Sequence, residues 1–148
     1  MNSDERKQIA YNYMVEGFNC CQATLLAFKD ILPIDEEKLK IMASSMGGGV
    51  GALRSACGCV SGMGLVIGML YGYDNVDKEK KAEITARVQQ LGAKFVETNG
   101  ALNCGELTGL SKFVAEKSKR TDGRDCKDFV ADFVKEIALY IEENPVQK

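Results

Sequence analysis

Apolar residues recur along this chain at spacings of three and four. Ile9, Ala10, Tyr13 and Met14 share one side of residues 4–16, Cys21, Leu25, Phe28 and Leu32 one side of 20–32, and Leu39, Met42, Ala43 and Met46 one side of 36–46. That spacing predicts three amphipathic helices. Pro33 closes the second, because proline has no amide hydrogen and clashes with the preceding turn. Residues 78–98 repeat the pattern through Ile84, Val88, Leu91, Phe95 and Val96, and Asn99–Gly100 supplies the stop. The most regular stripe is the last: Cys126, Phe129, Val130, Phe133, Val134, Ile137, Ala138 and Ile141. No segment alternates as a strand does, so the expectation is an all-α, single-domain helical bundle over residues 1–148. It has no internal repeat and no low-complexity tract.

The middle of the chain, "MGGGVGALRSACGCVSGMGLVIGMLYGY", breaks the pattern. From Ala56 to Tyr73 it carries no charge. It is too short, too rich in glycine and too poor in basic flanks for a membrane span. The expectation is a helix from about Gly58 to Tyr71, buried all round at the centre of the bundle. Gly64, Gly68 and Gly72 recur every four residues and would bare one face for a partner helix. Each costs about 1 kcal/mol in helix propensity relative to alanine, so close packing has to offset it. The run Gly47–Gly51 lacks the Gly-Lys-Ser/Thr of a phosphate loop and reads as a flexible turn. Tyr71 and Tyr73 read as packing aromatics with a polar tip at the surface.

Composition narrows the function classes. A chain of 148 residues is long enough to bury a core without staples. A formal charge of −2 with no basic stripe excludes a nucleic-acid backbone as the expected partner. The start "MNSDERKQIA" shows no apolar stretch behind a basic one, so a cytoplasmic setting is expected. Histidine is absent, which removes imidazole bases, imidazole–metal sites and Cys–His nucleophile pairs. Six cysteines remain. That is below the density of disulfide scaffolds, and in a reducing compartment dispersed cysteines serve as ligands, redox thiols or core filling.

The cysteines share a local grammar. Asn19 with Gln22 makes a capping box that starts a helix at Cys20–Cys21. Asn103 with Glu106 makes the same box around Cys104, and Asp125, with Asp128 three residues on, is a third cap, which puts Cys126 at the first helical position. Cys57 and Cys59 stand where the glycine-rich loop enters its helix, with Ser55 as a weaker cap. A helix start offers unpaired amides and about half a positive charge, which stabilises anionic sulfur. At least one of Cys20, Cys57, Cys104 and Cys126 is therefore expected to titrate below the usual value of about 8.5. If the four helix starts converge, they would hold a cluster of thiolates or an anionic iron–sulfur centre. The plain alternative is cysteine as a small hydrophobe. Arg54 reads first as a solvated loop charge, with thiolate stabilisation or anion binding as the alternative, and Glu106 reads as a cap.

On these motifs the chain resembles the redox-active proteins named for their cysteine pattern, C_GCAxxG_C_C. The resemblance runs from about Tyr11 to Tyr140 and rests on "NCCQATLLAF", on the glycine-rich run into "CGCVSG", and on the lone cysteines of "NCGEL" and "DCKDFV". It carries the family's four cysteines over to Cys20, Cys57, Cys104 and Cys126. Two departures stand out: Cys59 replaces the family's alanine, and Cys21 is extra. Both become accessory candidates. The resemblance implies a small helical protein with a redox role, and two mechanisms stay open. Electron transfer through a bound iron–sulfur centre matches the count of four thiolates, though the spacing is no ferredoxin signature. Thiol–disulfide exchange would need a pair assembled in space, or Cys57–Cys59, or Cys20–Cys21, since no Cys-x-x-Cys is present. The rival is a non-enzymatic helical protein with a structural Cys₄ zinc site, which lacks the usual short knuckles, or with cysteines that only pack. The expected partner is a redox protein or small electron carrier, and self-association stays open.

Overall fold

The computed structural model describes residues 1–113 and 121–147. Among these residues the chain forms seven helices and no strand: α1 (Ser3–Glu16), α2 (Cys20–Leu26), α3 (Glu36–Met42), α4 (Gly58–Tyr71), α5 (Lys78–Asn99), α6 (Cys104–Thr108) and α7 (Cys126–Glu143). The all-α, one-domain expectation holds. No helix among the described residues is long and apolar enough to cross a membrane.

Local chemistry sets most boundaries. Asn2 accepts the Glu5 amide at 2.8 Å to open α1, and Gly17, at φ 110°, closes it. Asp77 accepts the Glu79 and Lys80 amides to open α5, and Gly100 ends it at φ 89° as the Asn-Gly pair predicts. The second helix ends earlier than Pro33 implies. Arg6 on α1 is buried, donates Nη1 to the Ala27 carbonyl at 2.8 Å and pairs with Asp30 at 2.6 Å. A side chain from another helix thus takes the carbonyl at the end of α2, and residues 27–34 follow as turns.

The packing joins first and last. α1 lies along α7 and touches α2; α2 is wedged among α1, α3, α4 and α7; α4 meets α2, α5 and α7. The core gathers Leu25, Phe28, Met63, Ile67, Leu91 and Phe95, with Val130, Val134 and Ile137 from the predicted α7 stripe. Phe95 and Phe133 meet edge to face at 4.9 Å. Every residue from Cys21 to Phe28 is buried, so the most enclosed segment is α2.

α4 departs from the expectation of burial all round. Its inner face of Gly58, Cys59, Gly62, Met63, Val66 and Ile67 is buried, while Leu65 and Gly68 are exposed. The glycines that admit a partner are Gly58 and Gly62: a Cβ at Gly58 would lie 2.6 Å from the Cys20 Cβ, and one at Gly62 would lie 2.8 Å from the Thr24 Cβ. Gly64 and Gly68 face open space, and Gly72 caps the helix end. The i, i+4 glycine stripe exists, yet the contact runs along its neighbour. Tyr71 packs edge to face on Tyr140, its hydroxyl donating to the Asn144 carbonyl at 2.7 Å, while Tyr73 is exposed.

Candidate functional site

The four predicted cysteine-bearing helix starts all form, by differing means. At α2 the box is complete: Asn19 accepts the Gln22 amide at 2.9 Å and Gln22 accepts the Asn19 amide at 3.0 Å. The same two side chains donate to the Ala43 and Lys40 carbonyls at 3.0 and 2.8 Å, which pins Cys20 to the end of α3. Cys126 opens α7, with Asp125 accepting the Lys127 amide. Cys104 opens α6, but the Asn103 side chain makes no capping bond there. The expected box gives way to a crossing of two segments, because Asn103 pairs with Ala56 in an isolated bridge. Cys104 N–H donates to the Ser55 carbonyl at 2.7 Å, and Cys57 N–H to the Leu102 carbonyl at 2.8 Å. Cys57 itself occupies the N-cap of α4, where Ser55 was the candidate, so Cys59 is the second helical residue.

All six cysteines are free thiols. The Cys20 thiol hydrogen-bonds with the thiols of Cys126, at the start of α7, and of Cys57 and Cys59, both at the start of α4. Cys20 is half-buried, and Cys126, Cys57 and Cys59 are 6, 2 and 0 % exposed. The neighbouring sulfurs, Cys126 first, and then burial hold the Cys20 thiol well above the ordinary range. This is the reverse of what a helix start alone implies for that residue. Cys21 is fully enclosed; burial pushes its thiol up, opposed by a hydrogen bond with Ser61. It points to the core as a small hydrophobe does.

Cys104 is engaged by a different partner. Arg54 is 7 % exposed, and its Nη1 donates to the Cys104 sulfur at 3.4 Å while Nε donates to the Ser111 carbonyl at 3.4 Å. The solvated loop charge expected at Arg54 is thus corrected: the guanidinium is inside, on a thiol. The clue in the sequence is that Arg54 is the one charge between Gly47 and Tyr73. What carries it there is a left-handed turn. Gly48, Gly49, Val50, Gly51 and Ala52 all have φ between 53° and 67°, and Arg54 has φ 60°. Three of these are not glycine, and each such residue costs about 1–2 kcal/mol in that region. The turn is bound across itself, Arg54 N–H to the Gly48 carbonyl at 3.1 Å and Ser55 N–H to the Gly49 carbonyl at 2.9 Å. A Cβ at Gly49 would lie 2.6 Å from the Ser55 nitrogen and 2.7 Å from the Cys104 Cβ. In place of a flexible connector, the glycine run is a hydrogen-bonded bend pressed against Cys104.

Cys20 and Cys126 line a groove of about 550 Å³ together with Met14, Phe18, Gly48 and Lys127. Its walls come from the end of α1, the left-handed turn and the start of α7. The sulfur-only donor set is compatible in chemistry with a thiolate-bound cofactor. Its arrangement is another matter: among the described residues no three Cys, Asp or Glu side chains form a group that could hold a metal ion.

Comparison with known proteins places the chain. An uncharacterized protein of Archaeoglobus fulgidus is 26 % identical over 146 residues, covering 93 % of each chain. No solved structure matches. The family model described as "Putative redox-active protein (C_GCAxxG_C_C)" matches residues 18–140, a span that holds all six cysteines, the left-handed turn and Arg54. With that match over most of its length, the chain belongs to the C_GCAxxG_C_C family of redox-active proteins.

Proposed function

We propose that this protein is a thiol–disulfide redox protein whose working pair is Cys126 and Cys20. The observation that carries the reading is the juxtaposition of these two thiols in hydrogen-bonding reach on the wall of one open groove. Cys126 opens an 18-residue helix, so its sulfur receives the field of the α7 amides, and Cys20 keeps its proton and donates to it. The Cys126 thiolate attacks one sulfur of a substrate disulfide, forming a mixed disulfide and releasing a substrate thiolate. Cys20 then loses its proton to that leaving group and attacks the Cys126 sulfur. The Cys20–Cys126 disulfide forms and the second substrate sulfur departs as a thiolate, which takes its proton from water. Two thiols have been oxidised, one external disulfide reduced, and an external dithiol reverses the sequence. Cys57 and Cys59 lie against Cys20, while Cys104 is held by Arg54.

The test is stoichiometric oxidation of the reduced, anaerobically purified chain by bis(2-hydroxyethyl) disulfide, followed by peptide mapping. The expected result is a Cys20–Cys126 disulfide in the wild type and a mixed disulfide trapped on Cys126 in Cys20→Ser. Thiols that stay unreactive, in a protein carrying stoichiometric iron and sulfide, would replace this reading with electron transfer through a cluster. Stoichiometric zinc without iron would make the site structural.

A further inference from the structure

Cys20 meets both the groove and the interior. Outward it shares the groove wall with Cys126; inward it reaches Cys57 and Cys59. The inner contact does not depend on the thiols alone. Gly58, between the two inner cysteines, packs its backbone so tightly on α2 that a Cβ there would lie 2.6 Å from the Cys20 Cβ and 2.7 Å from the Cys21 nitrogen. The bare backbone of that residue seats the Cys57–Cys59 turn against Cys20. The inner thiols, Cys57 and Cys59, are 2 and 0 % exposed, against half-buried Cys20 and Cys126 at 6 %.

We infer that Cys20 is a relay: the disulfide formed with Cys126 at the groove is passed inward to Cys57 or Cys59, leaving Cys126 free. The inference rests on the thiol–disulfide reading above and extends it. An inner thiol gives up its proton and attacks the Cys20 sulfur of the Cys20–Cys126 disulfide. The S–S bond to Cys126 breaks, a bond from Cys20 to the inner sulfur forms, and the proton ends on the departing Cys126 sulfur. One disulfide and two thiols stand on each side of the step, so no outside oxidant is needed. Cys20 is the sulfur common to the two disulfides, and both partners stand beside it. A disulfide is neutral and has no hydrogen-bond donor to satisfy, so it suits the interior. One sulfur of the disulfide is then an inner one, and the groove regains Cys126 as a nucleophile.

The experiment is a time course. Reduced wild-type protein receives one equivalent of bis(2-hydroxyethyl) disulfide, aliquots are quenched in acid and alkylated, and disulfides are mapped by mass spectrometry. The expected record is a Cys20–Cys126 disulfide at early times, replaced by Cys20–Cys57 or Cys20–Cys59, with alkylation of Cys126 recovering at least tenfold. In the Cys57→Ala/Cys59→Ala variant the first disulfide should persist. A Cys20–Cys126 disulfide that stays unchanged in the wild type overturns the relay and leaves the groove pair intact as a working couple. If no Cys20–Cys126 disulfide forms at any time, both readings fall.

Discussion

Alanine at Gly62 and alanine at Gly64 should have different effects, although the two residues stand two apart on one helix. Both substitutions gain about 1 kcal/mol of helix propensity over glycine. At Gly64 the new methyl meets nothing within 4 Å, so the gain stands alone. At Gly62 it would lie 2.8 Å from the Thr24 Cβ and 2.9 Å from its Cγ2. Thr24 cannot retreat, being fully buried with its hydroxyl donating to the Cys20 carbonyl at 2.8 Å. Overpacking of this kind costs about 1–3 kcal/mol. The propensity term is common to both variants, so they should differ by that amount, with Gly64→Ala above the wild type and Gly62→Ala below it or level. Urea titration followed by helical circular dichroism measures the difference. With a slope of about 2 kcal/mol per molar urea the midpoints separate by about 0.5–1.5 M, and Gly64→Ala raises Tm by about 2–4 °C. Because Thr24 holds the Cys20 carbonyl, Gly62→Ala should also change the rate at which Cys20 is alkylated, and Gly64→Ala should not. A destabilised Gly64→Ala, or a Gly62→Ala as stable as Gly64→Ala, would refute the packing of α4 on α2 described above.

Three further outcomes are expected. Ala52→Gly should stabilise the fold by about 0.5–1 kcal/mol, because relief of a left-handed alanine at φ 61° outweighs the added chain entropy; equilibrium unfolding shows the sign. Arg54→Met should destabilise by about 1–3 kcal/mol through loss of the bonds to Cys104 and the Ser111 carbonyl, and a variant as stable as the wild type would show that those bonds carry nothing. The Cys20 and Cys21 thiols are held above the ordinary range, Cys20 by its sulfur neighbours and Cys21 by burial. Above about pH 9 the unfolded chain therefore binds fewer protons than the folded one, and stability falls as pH rises further. The urea midpoint should drop between pH 8 and pH 10 by conventional titration, and Cys21→Ala should flatten that drop.

What the sequence could disclose follows the range of the interactions involved. The starts of α1, α2, α5 and α7 are written in residues within three positions of the boundary, such as Asn19 with Gln22, and they appear where local chemistry puts them. The α7 stripe was legible for the same reason: a helix that buries one face must repeat its apolar residues at helical spacing. The end of α2 was not, because the group that takes the Ala27 carbonyl is Arg6, 21 residues away. Asn103 reads as a cap until Ala56 pairs with it from across the chain. Arg54 looks like a surface charge because its partner, Cys104, is 50 residues distant. The glycine stripe misled differently. Gly64, Gly68 and Gly72 have the better spacing, yet Gly58 and Gly62 have the neighbour, and spacing alone carries no information about which face is occupied. For the site, local grammar put thiols at helix starts; which of them touch Cys20 depends on how the starts are brought together.

The pairing of α1 with α7 has a bearing on how the protein is made. Cys20 and the end of α1 leave the ribosome well before α7, yet α7 is the helix along which α1 lies and which supplies one wall of the groove. Contacts between segments so distant in sequence form late, after the cost of closing the intervening chain has been met. During synthesis Cys20, Cys57 and Cys59 are therefore nascent-chain thiols without their final shelter, open to whatever oxidants the compartment holds. A reducing environment at that stage would keep these thiols unpaired until α7 arrives to close the groove.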